Sequence, residues 1–197
     1  MSLVNLVSGG LDSTLVGVLA KEDGSDQFPL FIDYGQRAAR KEWATCQEVH
    51  SRLGLPQPTR MDLSGFGRVI RSGLTTVDMD VKEEAFTPGR NLMFLLMGSA
   101  YAFQLGASAV AVGLLAEEFA LFPDQRRAFL DQARASIESA MGRPMRVMTP
   151  LIEFGKADVV RLAKDRGISG TYSCHTGAPQ PCGRCIACLE FQFPEGE

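Results

Sequence analysis

The sequence has no apolar run that approaches the roughly 20 residues of a membrane-spanning helix. Its N-terminus lacks the pattern of a secretory signal peptide, because the first residues lead directly into a short apolar segment. Positive charge is not in excess: 20 Lys and Arg face 23 Asp and Glu, which gives a net charge of −3. A chain of this charge has no global attraction to nucleic acid or to an anionic membrane. We therefore expect a soluble, cytoplasmic protein without a membrane partner and without a strong nucleic-acid signal.

Internal repeats and low-complexity tracts are also absent, so the chain is neither a solenoid nor a disordered linker. Its 197 residues, of which 45% are apolar and 22% charged, predict one globular domain with at most a small appendage. We expect an α/β domain over residues 1–170 and a small metal-binding tail over residues 171–197.

Short apolar segments alternate with longer amphipathic segments along most of the chain. This alternation predicts a doubly wound α/β fold with a five-stranded parallel sheet. The predicted strands are Leu3–Val7, Phe28–Asp33, Thr59–Leu63, Ala109–Leu115 and Met145–Thr149. The first predicted helix begins at Asp12. The other predicted helices are Ala38–Leu53, Leu92–Leu105, Arg127–Met141 and Lys156–Arg166. Residues 64–88 lose the periodicity, and they form either a lid or a solvated insertion without function.

The glycine-containing turn after the first strand is the main candidate for a binding site. Ser8-Gly9-Gly10 joins the strand to a helix, so unpaired backbone N–H groups and the positive end of the helix dipole meet there. Ser13 and Thr14 add hydroxyl donors, and Asp12 either caps the helix or reaches a magnesium ion. The turn lacks the ending of the Walker loop and the spacing of the dinucleotide fingerprint, but it resembles the SGGxDS loop of ATP pyrophosphatases. A turn that binds nothing is the alternative.

Four of the five cysteines are concentrated near the end of the chain, at Cys174, Cys182, Cys185 and Cys188. Two overlapping Cys-x-x-Cys pairs with one cysteine upstream favour tetrahedral thiolate binding of Zn²⁺ in a reducing compartment. A redox pair and an iron–sulfur cluster are the alternatives. A site with four thiolate ligands leaves no position for an activated water, so we expect a structural role. The remaining candidates are assigned as follows: His175 as a bystander, His50 as a surface residue, and Cys46 as a packing residue.

Six motifs occur in one order: SGGLDST at 8–14, DYGQR at 33–37, PGRN at 88–91, FPDQR at 122–126, TPL at 149–151 with Lys156, and C-x7-CGRCIAC at 174–188. In this order the chain resembles the 7-cyano-7-deazaguanine synthase family from near its first residue to near its last. The resemblance implies ATP-dependent activation of the carboxylate of 7-carboxy-7-deazaguanine. Ammonia then gives the amide, and a second activation gives the nitrile used in queuosine synthesis. It also implies a homodimer with a four-cysteine zinc site.

The resemblance implies roles for specific residues. It assigns phosphate and nucleotide binding, with Mg²⁺, to the loop and to the second motif (Ser8, Gly9, Gly10, Leu11, Asp12, Ser13, Thr14, Tyr34, Gln36 and Arg37). The resemblance assigns catalytic roles to Asp12, Ser13, Lys156 and Arg90. The deazaguanine pocket is assigned to residues of the third and fourth motifs and their neighbours (Arg90, Asn91, Glu118, Phe119, Phe122, Asp124 and Arg126).

The chain departs from the family pattern in the segment that follows the fourth predicted strand. Where the family has a Ser-Gly pair and a cysteine, this chain has Ala120-Leu121 and Gln125, and the family Cys-Tyr-Asn-Gly is Cys174-His175-Thr176-Gly177. Two alternatives to the synthase therefore remain. One is a paralogue that joins a deazaguanine-type acid to another amine, on a protein or a small molecule. The other is a nucleotide-binding homologue without catalysis, against which the intact Asp12 and Ser13 argue.

Overall fold

Five strands form one parallel sheet in the computed structural model, which describes residues 1–192. The strands are β1 (Ser2–Val7), β2 (Asp26–Asp33), β3 (Thr59–Asp62), β4 (Ala109–Ala111) and β5 (Arg146–Met148). Their order is β3-β2-β1-β4-β5, so β1 lies at the centre of the sheet. In the register, Leu3 of β1 is opposite Gln27 of β2 and Ala109 of β4. The predicted five-stranded parallel sheet is confirmed.

Seven α-helices connect or follow the strands in the described residues. They are α1 (Leu11–Glu22), α2 (Ala39–Arg52), α3 (Gly65–Val69), α4 (Arg90–Gln104), α5 (Arg127–Met141), α6 (Lys156–Asp165) and α7 (Ile186–Leu189). Two 3₁₀ turns, Glu117–Phe119 and Pro123–Gln125, lie between β4 and α5. Within residues 1–192, none of the helices has the length and apolarity that crossing a membrane requires.

The sheet is covered on both faces, as its strand pattern requires. Successive side chains of a strand point to opposite faces, so Val4 and Leu6 pack on one side and Leu3 on the other. Val4 and Leu6 join a core with residues of α4 and α5, such as Leu95. Leu3 joins a second core with residues of α1 and α6, such as Leu15. The carboxyl ends of β1, β2 and β4 consequently open at one edge between these helices.

The fourth strand is shorter than its apolar sequence indicates. The prediction Ala109–Leu115 is wrong in its end, because β4 stops at Ala111. Val112 N–H still donates to Met148 O at 2.9 Å, but β5 ends there and offers no further partner. Gly113 then approaches the start of α1: a Cβ on it would lie 3.1 Å from the backbone carbon of Asp12. The chain leaves the sheet here to pass close to the loop after β1.

Residues 64–88 are anchored to the interior by a few buried side chains, so the alternative of a wholly solvated insertion is wrong. Leu74, Val81 and Ala85 are buried in a cluster with Cys174 and Cys185. The segment also contains the short helix α3. It therefore links the sheet domain to the cysteine region.

For two residues of α2, Cys46 and His50, the structure confirms one prediction and contradicts the other. Cys46 is fully buried against Val7 and Phe31, which confirms its packing role. His50 is also buried, at 1% exposure, so its assignment to the surface is wrong. Its Nδ1 pairs with Pro56 O at 2.7 Å. Burial lowers the pKa of His50, so this histidine is a neutral interior residue that ties the end of α2 to the following loop.

Candidate active site

The loop after β1 has the conformation that glycine alone adopts easily. Gly9 has a φ of +78°, and a Cβ on it would lie 2.8 Å from both Cys46 N and Glu42 O in α2. The loop is also held by its own hydroxyls, since Gly10 N–H donates to Ser8 Oγ at 3.2 Å and Ser8 N–H donates to Ser13 Oγ at 3.2 Å. A close helix behind the loop and a helix N-terminus in front of it make a compact turn, a geometry that in other proteins binds anions.

A pocket of about 300 Å³ opens at this loop, at the carboxyl ends of the central strands. This position is where open α/β sheets bind ligands. Twelve residues assigned from the sequence line it: Ser8, Gly10, Leu11, Asp12, Ser13, Tyr34, Gln36, Arg90, Asn91, Phe119, Phe122 and Lys156. The structure therefore brings the loop, the second motif and the third motif into one cavity.

Other residues assigned from the sequence lie outside the pocket wall. Thr14 is buried and its hydroxyl donates to Gly10 O at 2.8 Å, so it supports the loop from behind. Arg37 reaches Gly73 O at 3.1 Å, and Glu118 and Arg126 are exposed. Asp124 is buried, and its carbonyl accepts a bond from Asn91 Nδ2 at 2.9 Å. Gly9 also lies behind the wall rather than in it.

An ion-pair cluster centred on one buried lysine lies at the loop end of the pocket. Lys156, the first residue of α6, is only 7% exposed, and its Nζ lies 2.8 Å from both carboxylate oxygens of Asp12. Glu190 Oε2 lies 3.0 Å from the same nitrogen. Burial alone would lower the pKa of Lys156, but the two carboxylates outweigh it and the pKa is raised. Asp12 is therefore not a helix cap: Gly10 occupies that position, and the Asp12 side chain pairs with Lys156.

An aromatic wall stands opposite this cluster. The Arg90 guanidinium lies 5.9 Å from the ring centroids of both Tyr34 and Phe94. Its Nη1 is 3.4 Å from the Tyr34 hydroxyl, and its Nε is buried without a partner in the described residues. A cation held over two rings is well placed to contact a planar, anionic ligand.

The four cysteines of the tail converge as predicted. Their sulfurs all lie within 4.8 Å of one another, and Cys182 and Cys188 are 4.0 Å apart. Backbone N–H groups point at the sulfurs: Cys182 N–H to Cys174 Sγ at 3.3 Å, and Cys185 N–H to Cys182 Sγ at 3.4 Å. Gly183, with a φ of +71°, makes the turn between these ligands. The donors and their spacing fit a metal ion.

Sequence reasoning missed Glu42, which lines the pocket from the first turn of α2. Gln36 Nε2 donates to Glu42 Oε2 at 2.8 Å, while Gln36 Oε1 accepts from Tyr34 N at 2.9 Å. Burial raises the pKa of Glu42 to about 7. A sequence signal existed: at helical spacing Glu42 shares a face with buried Ala38, Cys46 and Val49, where an acidic residue is unexpected.

The tail contributes further pocket residues that the sequence did not indicate. Tyr172, Ser173, His175, Ile186, Ala187 and Glu190 all line the cavity. His175 was expected to be a bystander, but it lies in the pocket wall with a buried Nδ1 that has no partner within residues 1–192. The turn at Gly177, whose φ is +72°, directs this part of the tail back against the loop after β2. The assignment of His175 as a bystander to the metal site agrees with the cluster, whose members are the four cysteines.

Comparison with known sequences assigns the chain to a protein family. The family model described as "Queuosine biosynthesis protein QueC" matches residues 2–192. The chain belongs to the QueC family. A member from Methanothrix thermoacetophila, named 7-cyano-7-deazaguanine synthase, is 33% identical over 94% of this chain and 89% of its own length. A member of the same name from Campylobacter concisus is 30% identical over the same shares.

Solved structures extend the QueC fold to other proteins. The U34-tRNA thiolase NcsA from Methanococcus maripaludis, solved with its [4Fe-4S] cluster, aligns with a TM-score of 0.57 at 12% identity. The aligned region covers 91% of this chain and 60% of the NcsA chain. A 4-thiouridine synthetase in complex with RNA and bound ATP aligns with a TM-score of 0.55 at 23% identity, over 95% of this chain and 48% of its own. At these identities the likeness concerns the fold alone.

Proposed function

We propose that this chain is an ATP-dependent 7-cyano-7-deazaguanine synthase. It activates the carboxylate of 7-carboxy-7-deazaguanine with ATP and, using ammonia, converts the acid through the amide to the nitrile. The observation that carries the proposal is the shared pocket, in which the Ser8–Ser13 loop and the Lys156–Asp12 pair face Arg90 over Tyr34 and Phe94. The names of the two relatives support the substrate assignment.

The loop end of the pocket suits the phosphates of ATP. Backbone N–H groups at the start of α1 and the hydroxyls of Ser8 and Ser13 supply donors for phosphate oxygens. Lys156 supplies a positive charge for the pyrophosphate that departs, and the Asp12 carboxylate supplies the oxygen ligands that Mg²⁺ prefers. With ATP and Mg²⁺ bound, the Asp12–Lys156 contact exchanges partly for contacts to the nucleotide.

The opposite wall suits the deazaguanine acid. Arg90 can pair with its carboxylate, while Phe94, Phe119 and Phe122 offer apolar faces to the flat ring system. Holding the carboxylate in line with the phosphate is the main contribution of the protein, since the leaving group comes from ATP.

We propose Zn²⁺ as the ion held by Cys174, Cys182, Cys185 and Cys188. A tetrahedral ion with bonds of about 2.3 Å to sulfur requires sulfurs about 3.8 Å apart, close to the 4.0 Å between Cys182 and Cys188. A four-iron cluster places each thiolate on a different iron and requires wider separations. The ion when bound would fix the tail, and with it Glu190 and His175, against the pocket.

A second candidate function has a specific observation in its favour. Leu121 and Gln125 replace small residues of the family and line the pocket, and Gln125 Oε1 accepts N–H bonds from Leu121 and Phe122 at 2.9 Å each. A wall altered in this way would change which acid or which amine the pocket accepts. In that case the chain joins a deazaguanine-type acid to an amine on a protein or small molecule.

The first experiment is an incubation of zinc-loaded protein with ATP, Mg²⁺, 7-carboxy-7-deazaguanine and ammonium, followed by mass spectrometry. We expect the nitrile and AMP. Adenylate or amide without nitrile would favour the second candidate, and a lack of nucleotide consumption would contradict both enzymes.

Lys156→Ala is the matched test of the pocket cluster, with Lys164→Ala as its control. Both lysines belong to α6, but Lys156 is buried beside Asp12 whereas Lys164 is exposed. Loss of a charge that stabilises the leaving group should lower the rate by about 10²-fold or more. Equal rates for the two variants would remove Lys156 from the mechanism.

We also propose the division into residues 1–170 and a tail from 171, whose last residues 193–197 lie outside the described part. The cluster formed by the 64–88 segment and Cys174 and Cys185 supports a tail docked on the domain.

The five free cysteines favour a reducing, cytoplasmic compartment. For assembly we propose a homodimer through the outer face of α4, where Leu92 and Phe103 are exposed; light scattering tests it.

A further inference from the structure

The proposed reaction requires a group that removes protons from nitrogen. When ammonia attacks the activated acid, the nitrogen must lose a proton to give a neutral amide. When the activated amide becomes a nitrile, the remaining N–H proton must leave as the C–O bond breaks. Positioned side chains accelerate such proton transfers by about 10²- to 10⁴-fold. Loop N–H groups and Lys156 are donors and cannot serve.

Three carboxylates line the pocket in the described residues, and they differ in their partners. Asp12 and Glu190 both lie within 3.0 Å of Lys156 Nζ and share its positive charge. Glu42 forms no ion pair within residues 1–192, and its recorded bond is a neutral one from Gln36. Glu42 is therefore the pocket carboxylate whose proton affinity is not already occupied by a cation.

Glu42 also lies between the two halves of the site. Its backbone carbonyl is directly behind Gly9 of the phosphate loop. Its side chain lines the pocket beside Gln36 and is close enough to Arg90 and Tyr34 for the charges to act on each other. The junction between phosphate loop and acid-binding wall is where an activated carboxylate would react.

Resting on the proposed function, we propose that Glu42 is the general base that accepts the proton lost by the nitrogen nucleophile. In the first step the N–C bond forms, the C–O bond to phosphate breaks, AMP leaves with the electron pair, and one nitrogen proton passes to the Glu42 carboxylate. Glu42 then returns this proton to solvent. In the second step the amide oxygen bonds to the α-phosphorus of ATP, pyrophosphate leaves, and one of the two amide N–H protons passes to water. Glu42 takes the remaining N–H proton as the C–O bond to AMP breaks, AMP leaves with the electron pair, and the nitrile forms.

The surroundings of Glu42 support this role. Burial raises the pKa of Glu42 to about 7, the hydrogen bond from Gln36 and the nearby Arg90 act in the opposite direction, and Asp33 raises it further. Tyr34 and Tyr172 also face it, and Cys46 is its titratable neighbour on α2. A base with a pKa near the working pH is both available and effective.

The test separates activation from nitrogen transfer. ATP–pyrophosphate exchange with the acid, in the absence of ammonium, reports activation alone; nitrile formation reports the complete reaction. Glu42→Gln keeps an oxygen acceptor for Gln36 Nε2 but cannot accept the proton. We expect exchange within about twofold of the wild type and nitrile formation lowered by about 10²-fold. Glu42→Asp should recover part of the rate.

The pH profile, measured at a fixed concentration of free ammonia, distinguishes a base from a structural residue. The wild-type rate should fall as pH drops below about 7, and Glu42→Gln should lose this fall. Glu48→Gln is the matched control, since Glu48 lies exposed on the same helix. Nitrile formation at the wild-type rate by Glu42→Gln, or a parallel loss of exchange and nitrile, would overturn the inference. A wild type without exchange would overturn the proposed function as well.

Discussion

Replacing Glu42 with glutamine should make the unliganded protein more stable above neutral pH, whatever reaction it catalyses. The fold holds this carboxyl group in the pocket beside Gln36, where burial opposes its ionisation. Glutamine has nearly the same shape and keeps an acceptor for Gln36, but it carries no charge at any pH. The difference between the two proteins therefore isolates the cost of one negative charge at a half-buried position.

The size and sign of the effect follow from the pKa. Burial raises the pKa of Glu42 from 4.5 to about 7. At about 1.4 kcal/mol per pKa unit, this difference corresponds to about 3 kcal/mol, which water entering the pocket reduces. Because the pKa is raised in the folded state, the contribution of Glu42 to stability is complete below pH 4.5 and is lost as pH rises through about 7.

Urea denaturation of both proteins at intervals between pH 5 and pH 8 measures this effect. The free energies of unfolding should be similar at pH 5, and the variant should gain about 2 kcal/mol on the wild type by pH 8. Other titrating groups cancel in the difference. Glu48→Gln should show no such trend. A difference between wild type and Glu42→Gln that stays constant with pH would refute the reasoning that Glu42 is buried as a proton-binding group.

Three further predictions concern the loop, the metal site and the core. Gly9→Ala should lower the free energy of unfolding by about 1–3 kcal/mol and abolish ATP binding, because its methyl group would lie 2.8 Å from backbone atoms of Cys46 and Glu42. Gly24→Ala is the control, since Gly24 has a similar φ but lies in open space, and this variant should lose less stability and keep ATP binding. Cys182→Ser should release the bound metal ion, measured by elemental analysis, whereas Cys46→Ala should retain it. A thiol reagent should leave Cys46 unmodified until denaturant is added, because burial raises its pKa to about 12; labelling under native conditions would contradict its burial.

Much of the fold could be predicted because local patterns determine it. α5 has the predicted bounds, Arg127–Met141, since its apolar face repeats at helical spacing and Gly142 ends it. The end of β4 could not be predicted from its own residues. Residues 112–115 are as apolar as a strand, but β5 stops at Met148, and on the other side β1 continues to Val7 while its pairing with β4 ends at Asn5. The close approach of Gly113 to the start of α1 accompanies this departure from the sheet, and it depends on tertiary packing.

The candidate site was predictable where its residues lie close together in the sequence. The loop at Ser8–Ser13 and the four cysteines carry their spacing in the sequence. Glu42, His175 and Glu190 could not be placed in the same way, because each enters the pocket from an element whose position depends on tertiary packing. The family resemblance gave Lys156 a catalytic role, and the structure places it in the pocket wall. Its two carboxylate partners could not be identified in advance, because they are separated from it by 144 and 34 positions.

The position of Glu190 beside Lys156 also has a consequence for how the protein is made. A ribosome completes the phosphate loop among the first 14 residues, but Ile186, Ala187 and Glu190, which close the pocket wall, emerge about 170 residues later. A nascent chain therefore carries a phosphate loop without its opposite wall, while its four thiols have not yet gathered an ion. The wall that Ile186, Ala187 and Glu190 contribute is therefore the last part of the pocket to be synthesised, and the complete pocket can form only once this tail has folded back onto the domain.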